Sequence, residues 1–138
     1  MEYQVAKQYS VFLENRAGAL AELCRLISDR SINLLAICAI DTVEEAVLRV
    51  VPEKGPETLK ALEANGFRVI ETDVLLVTLD NISGATGMIA AILAENGINI
   101  DYIYSSVHPD SERTYLVLRV QQISKTKEIL KKHGEQTR

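Results

Sequence analysis

The segment Asn15-Arg16-Ala17-Gly18-Ala19 returns 66 residues later as Asn81-Ile82-Ser83-Gly84-Ala85, and Ile32-Asn33-Leu34 returns at the same offset as Ile98-Asn99-Ile100. Val47-Leu48-Arg49-Val50 recurs as Val117-Leu118-Arg119-Val120 at an offset of 70, and Leu62 and Gly66 correspond to Leu130 and Gly134. The change of offset falls on His108-Pro109-Asp110-Ser111-Glu112-Arg113, a polar segment with the composition of a lengthened hairpin loop. Four blocks in one order make the 138 residues two copies of one unit. The expected boundary divides the chain into 1–72 and 73–138. Glu71-Thr72-Asp73 at the junction has no Gly, Pro or Ser run, which argues against a flexible linker. Halves of this size are marginal alone, so they are expected to pack as one body.

Each copy has the same pattern. Residues 5–13 alternate and are rich in β-formers, a strand. After the turn Glu14–Gly18, Leu20, Leu23, Cys24 and Ile27 share one face of a helix. The apolar run 32–40 reads as a buried strand, Glu44-Glu45 as part of a solvated turn, and Ala46–Val51 as the returning strand. Glu57–Asn65 is a second helix stopped by Gly66, and Phe67–Ile70 opens a fourth strand. The order βαββαβ is the ferredoxin-like split βαβ motif, so the fold class is α+β. The second copy repeats it through Val74–Leu79, Thr86–Asn96, Ile98–Val107, Thr114–Val120 and Ile123–Lys132, and then has no fourth strand. Val74–Leu79 is apolar at nearly every position, which fits either a mid-sheet strand with one incidental apolar face or a strand whose open face packs against a sheet of another copy in a homodimer, the reading preferred here.

Composition narrows the function. A net charge of −4 with pI near 5.2 lacks the basic surplus of a general nucleic-acid binder, and Val47–Val50 and Val117–Val120 of the third strands carry no aromatic residues for stacking on RNA bases. The N-terminus has no basic-then-apolar leader, and no apolar run reaches the ~18 residues of a membrane span, so a cytoplasmic protein is expected. Cys24 and Cys38 sit in apolar stretches outside any CxxC pair and read as reduced, buried thiols. His108 and His133 have no ligands at metal spacing, and Lys125, Lys127, Lys131 and Lys132 read as a solvated helix face. No phosphate-loop signature is present. Arg16 with Asn33 loosely suggests an acylphosphatase-like hydrolase, but the surrounding Gly-rich signature is absent and Arg16 has no counterpart in the second copy.

A first strand ending in Asn-x-x-Gly, an amphipathic helix, then Ile-Asn-Leu/Ile opening the second strand resembles the ACT domain. Two copies in order, from about residue 5 to 133, resemble a stand-alone tandem ACT-domain protein. The resemblance implies ligand sensing rather than catalysis. It implies a side-by-side, eight-stranded-type antiparallel sheet with helices on one face, and an amino acid or related carboxylate bound at the seam between the two halves of the chain, where they meet through their second strands and first helices. Carried onto this sequence, Asn15 acts with Asn99, and Asn81 with Asn33. Regulation is then exerted in trans on a partner enzyme or regulator. The alternative is an assembly module with degenerate pockets.

Elementary chemistry fits such a site. Gly18 and Gly84 precede helix N-termini, whose unpaired N–H groups and positive dipole end favour a carboxylate. An Asn side chain offers a donor and an acceptor to a zwitterion. Two roles stay open for each Asn: Asn15 and Asn81 as ligand contacts or helix caps, Asn33 and Asn99 as ligand contacts or turn-closing residues. The sequence departs from the family's pattern in having Leu13 and Leu79 two positions before the loop Asn, and Ala17 and Ser83 where Pro is frequent. The expected ligand-binding set is Asn15, Arg16, Gly18, Asn33, Asn81, Gly84 and Asn99, with no catalytic residue, metal or cofactor.

Overall fold

The structure, a computed structural model, describes residues 1–41, 45–80, 84–106 and 113–136. In chain order they form β1 (Glu2–Glu14), α1 (Ala19–Ser28), β2 (Leu34–Asp41), β3 (Glu45–Pro52), α2 (Gly55–Ala64), β4 (Val69–Asp80), α3 (Ala85–Glu95), β5 (Ile100–Ser106), β6 (Arg113–Val120) and α4 (Ile123–Gln136). The residues fall into two compact units, Lys7–Thr72 and Met1–Ala6 with Asp73–Arg138. The junction Glu71-Thr72-Asp73 lies inside β4.

In the unit Lys7–Thr72 the strands run in the order β2-β3-β1-β4. β1 pairs antiparallel with β3 from Tyr9 opposite Val50 to Glu14 opposite Glu45. The Phe12 amide donates to the Arg68 carbonyl at 3.1 Å. Alternation sends Tyr9, Val11 and Leu13 to one face, where they form a core with Leu23 and Ile27 of α1 and Leu62 of α2. The buried face of α1 is Ala19, Leu23 and Ile27, a four-residue spacing that leaves Leu20 on the surface at 47% exposure, contrary to the inward position its sequence suggests. β2 is likewise less buried than its apolar run implies. Its one strand neighbour is β3, it alternates between partly buried and exposed positions, and Ile37 is 48% exposed. Cys24 and Cys38 are unpaired and half-buried.

The second unit has the order β5-β6-β4, and its fourth place, beside β4, is taken by the first residues of β1. Tyr3 packs on the core formed by Leu75, Val77, Ile89, Leu93, Leu118 and Leu130, and Glu2 lies 3.8 Å from Arg113. The strand that sequence comparison finds missing after Gly134 is therefore supplied from the opposite end of the chain. Each unit has four strand places; β1 and β4 serve in both units, so six strands fill eight places. The second strands of the two copies, β2 and β5, stand at opposite ends of the strand order, so the copies are not joined through them as the resemblance implied; the shared β1 and β4 are the inner strands instead.

Val74, Leu75, Leu76 and Val77 are between 0% and 3% exposed, so successive residues, and hence both faces of β4, are buried within one chain. A second copy is not needed to cover them. The buried threonines of α2 and α4 are satisfied in the same way: Thr58 Oγ1 donates to the Lys54 carbonyl at 2.7 Å and Thr126 Oγ1 to that of Gln122 at 2.8 Å. Among the described residues no helix is long and apolar enough to cross a membrane.

Candidate functional site

β1 delivers Phe12, Leu13 and Glu14 to the rim of its unit, and the chain then turns into α1. Gly18 ends that turn in the left-handed region, with φ 89°, and is the N-cap residue of α1. A side chain there would strain the backbone. Its counterpart Gly84 takes the same conformation, φ 86°, ahead of α3. No side chain caps α1. Asn15 is exposed and does not act as a cap; the Ala19 amide donates to the Arg16 carbonyl at 3.4 Å, and the positive end of the α1 dipole lies at this turn.

Arg16 lies across this turn. Its Nε donates to Glu14 Oε2 at 3.1 Å, and its terminal nitrogens take Glu22 in a fork at 3.2 and 2.8 Å. The Arg16 hydrogen bonds and charge hold the Glu22 carboxyl below its ordinary value, while the Glu22 and Glu14 hydrogen bonds raise the Arg16 guanidinium. Both stay ionised at neutral pH.

Beside Arg16 opens a cleft of about 500 Å³ between the end of β1, the start of α1 and the α2–β4 connection. Leu13, Ala19, Phe12 and Phe67 give it an apolar floor; Arg16, Arg68, Glu14, Glu22 and Glu45 give it charge. Arg68 sits 4.1 Å from the centroid of the Phe12 ring and 3.1 Å from Glu45. Glu14 and Glu45 are directly opposed across the β1–β3 pair, each with an arginine on it. The Coulombic cost of two facing carboxylates is thereby offset. Glu45, expected in a solvated turn, begins β3 and lines the cleft.

The other expected site residues are placed differently. Asn33 is exposed before β2, and its carbonyl accepts the Glu53 amide at 2.9 Å, the turn-closing role. Asn99 Nδ2 donates to Asp101 Oδ1 at 3.1 Å, and Gln121 Nε2 takes the other oxygen at 2.6 Å. Asn99 and Gln121, with Gly97, Ile98 and Gln122, line a smaller cleft of about 200 Å³. Asn81 and His108 lie outside the described residues. The structure thus brings Arg16 into a cleft beside the turn that Gly18 shapes, and leaves Asn15 and Asn33 on the surface. Sequence reasoning missed Glu14, Glu22 and Arg68. Glu14 and Glu22 flank the unrepeated Arg16 at −2 and +6, a charge pattern visible in the sequence; Arg68 reaches the cleft through tertiary structure. Among the described residues no cluster of three or more His, Cys, Asp or Glu could hold a metal ion.

The family model for the ACT domain pair matches residues 4–136. The chain belongs to the ACT domain pair family. A crystal structure of a Bacteroides thetaiotaomicron protein is 32% identical, with a TM-score of 0.87 over 96% of this chain and 90% of that one. The ligand-free regulatory subunit of aspartate kinase from Thermus thermophilus superposes with a TM-score of 0.70 at 16% identity, over 95% of this chain and 94% of that one. The corresponding subunit from Thermus flavus gives 0.60 at the same identity and coverage. At these identities the two aspartate kinase subunits share the ACT pair fold with this chain. No curated protein matches the chain.

Proposed function

We propose that this ACT domain pair is a non-enzymatic, cytoplasmic sensor that binds an amino acid or related small carboxylate and regulates a partner enzyme in trans. The observation that carries the reading is the cleft at the β1–α1 turn, where a guanidinium and an uncapped helix N-terminus converge over an apolar floor. The guanidinium and the positive end of the α1 dipole suit a carboxylate, Glu14 and Glu45 suit an ammonium, and Phe12 and Phe67 suit a side chain. Two proteins that share the fold are regulatory subunits of aspartate kinase, which accords with action in trans.

Homodimerisation belongs to the same reading. Among the described residues β2 and β5 each have one strand neighbour, and Ile37 and Ile103, equivalent by the 66-residue offset, are 48% and 39% exposed on them. Two copies meeting through these edges would bring Asn33 and Asn99 to the β–α turns of a neighbour, Asn99 with Asn15 and Asn33 with Asn81. The alternative of degenerate pockets has one observation in its favour, confined to the second unit: Asn99 is engaged by Asp101, a charge that a carboxylate ligand would meet.

Thermal unfolding against a panel of amino acids and small carboxylates tests the proposal. A ligand at about 100 times its Kd adds roughly 2.7 kcal/mol, a shift of several degrees for a chain of this size. The reading expects one chemical class to shift the midpoint and Arg16→Ala to remove the shift. No shift with any compound would leave the assembly-module alternative standing.

A further inference from the structure

Arg16 is unique to the first copy, and so is its principal partner. At the 66-residue offset, Arg16 corresponds to Ile82 and Glu22 to Met88, whereas Glu14 keeps an acid in Asp80. Guanidinium and Glu22 are thus replaced together by apolar residues, as expected of two groups that work as a pair. In the structure Glu22 grips Arg16 through both carboxylate oxygens, at 2.8 and 3.2 Å, the bidentate arrangement a free carboxylate ligand would adopt. Both side chains border the cleft of about 500 Å³, and both are about half exposed, at 48% and 59%.

We propose that Glu22 is a built-in competitor: in the unliganded chain it holds the place on Arg16 that the ligand's carboxylate takes, and binding exchanges one carboxylate for another. This rests on the reading of the cleft as the ligand site. The exchange leaves no charge stranded. Arg16 keeps a partner, Glu14 continues to hold Nε at 3.1 Å, and the released Glu22 turns into water while remaining in the first turn of α1, where the helix dipole favours an acid. Glu22 therefore sets the ligand concentration to which the first unit responds. In the second copy the same two positions hold Ile82 and Met88, so this arginine–glutamate pair belongs to the first copy alone.

The test titrates the full chain with glycine and with acetate, at matched ionic strength, following the Arg16 Nε–H resonance. Wild type, Glu22→Gln, Arg16→Gln and Glu45→Gln are compared. Glu45 controls for charge in the acetate titration, where no ammonium is present for its carboxylate to meet, since it lines the same cleft but pairs with Arg68. The expected result is a saturable shift in wild type, binding about two- to fivefold tighter in E22Q, the range for releasing an exposed ion pair. In R16Q the saturable response of the neighbouring backbone amides is lost. E22Q binding that is unchanged or weaker, or equal tightening in E22Q and E45Q, overturns the competitor while wild-type saturation keeps the broader reading. No saturable response in either wild type or E22Q overturns both.

Discussion

Ser31 and Gly97 occupy the same place in the two copies, and both carry left-handed backbone, with φ 55° and 70°. The hydrogen bonds around them match as well. Ser31 donates to the Ser28 carbonyl and Gly97 to Ala94, while Ile32 reaches back to Ile27 and Ile98 to Leu93. One copy thus closes its first helix with the residue suited to that conformation, and the other with a serine. Ser31→Gly is expected to raise stability by up to about 1 kcal/mol, the left-handed strain less the added unfolded-state freedom. Gly97→Ser is expected to cost a similar amount. Denaturant midpoints at constant slope measure both.

Gly55 opens α2 against Tyr9. A Cβ at Gly55 would lie 3.0 Å from the buried Tyr9 hydroxyl. Gly55→Ala should destabilise the chain, although alanine is the better helix former by about 1 kcal/mol. Tyr9→Phe removes the obstructing oxygen and should be neutral or stabilising. In that background Gly55→Ala should cost less, the remainder being the crowding of an alanine Cβ before Pro56, and a double-mutant cycle reads the coupling.

The same phenol makes stability pH-dependent in a defined window. Burial first, and then the charge of Glu71, push Tyr9 up from 10.0 to about 12. Below the lower value the phenol is protonated in both states. Between the two, the unfolded chain releases the proton and the folded chain keeps it, so stability falls as pH rises. Urea midpoints for wild type should drop more steeply across that interval than those for Tyr9→Phe. Parallel curves would show that Tyr9 titrates normally.

Deleting Met1–Ala6 should damage the unit at the far end of the sequence. The lost residues include Tyr3, which packs on the core around Leu75 and Leu118, and the neighbour of β4 in that unit. Hydrogen exchange should quicken in Asp73–Asp80 and β6 well before it changes in β3. Equal loss across both units would contradict the division at Ala6.

The repeat made the unit legible, because strand and helix periodicities recur at a fixed offset and local pattern agrees with global fold. The Asn-x-x-Gly turns were legible for a backbone reason: Gly18 and Gly84 adopt φ values that other residues avoid. Edges were not legible. Ile37 and Leu20 belong to apolar runs, and their exposure depends on what lies beside them in space. The completion of the second unit by Glu2–Ala6 escaped for the same reason, since pairing between the start of β1 and β4 leaves no periodic trace. At the site, Arg16 was visible as a break in the repeat, whereas Arg68 reached the cleft through the α2–β4 connection. The asparagines were visible but not their roles: an exposed Asn33 with its carbonyl in a turn and an Asn99 held by Asp101 have the same sequence signature.

The sharing of β1 sets an order of events during synthesis. Residues 2–6 are made before everything else in the unit they complete, which needs α4, about 120 residues later. The unit Lys7–Thr72 contains all four of its strands in one stretch and can form as soon as that stretch emerges. The other must hold a place open for a segment already made, a pairing of high contact order and correspondingly slow closure. Until then β4 presents an unpaired edge, the segment of this chain most exposed to capture by the first strand of a neighbouring nascent copy.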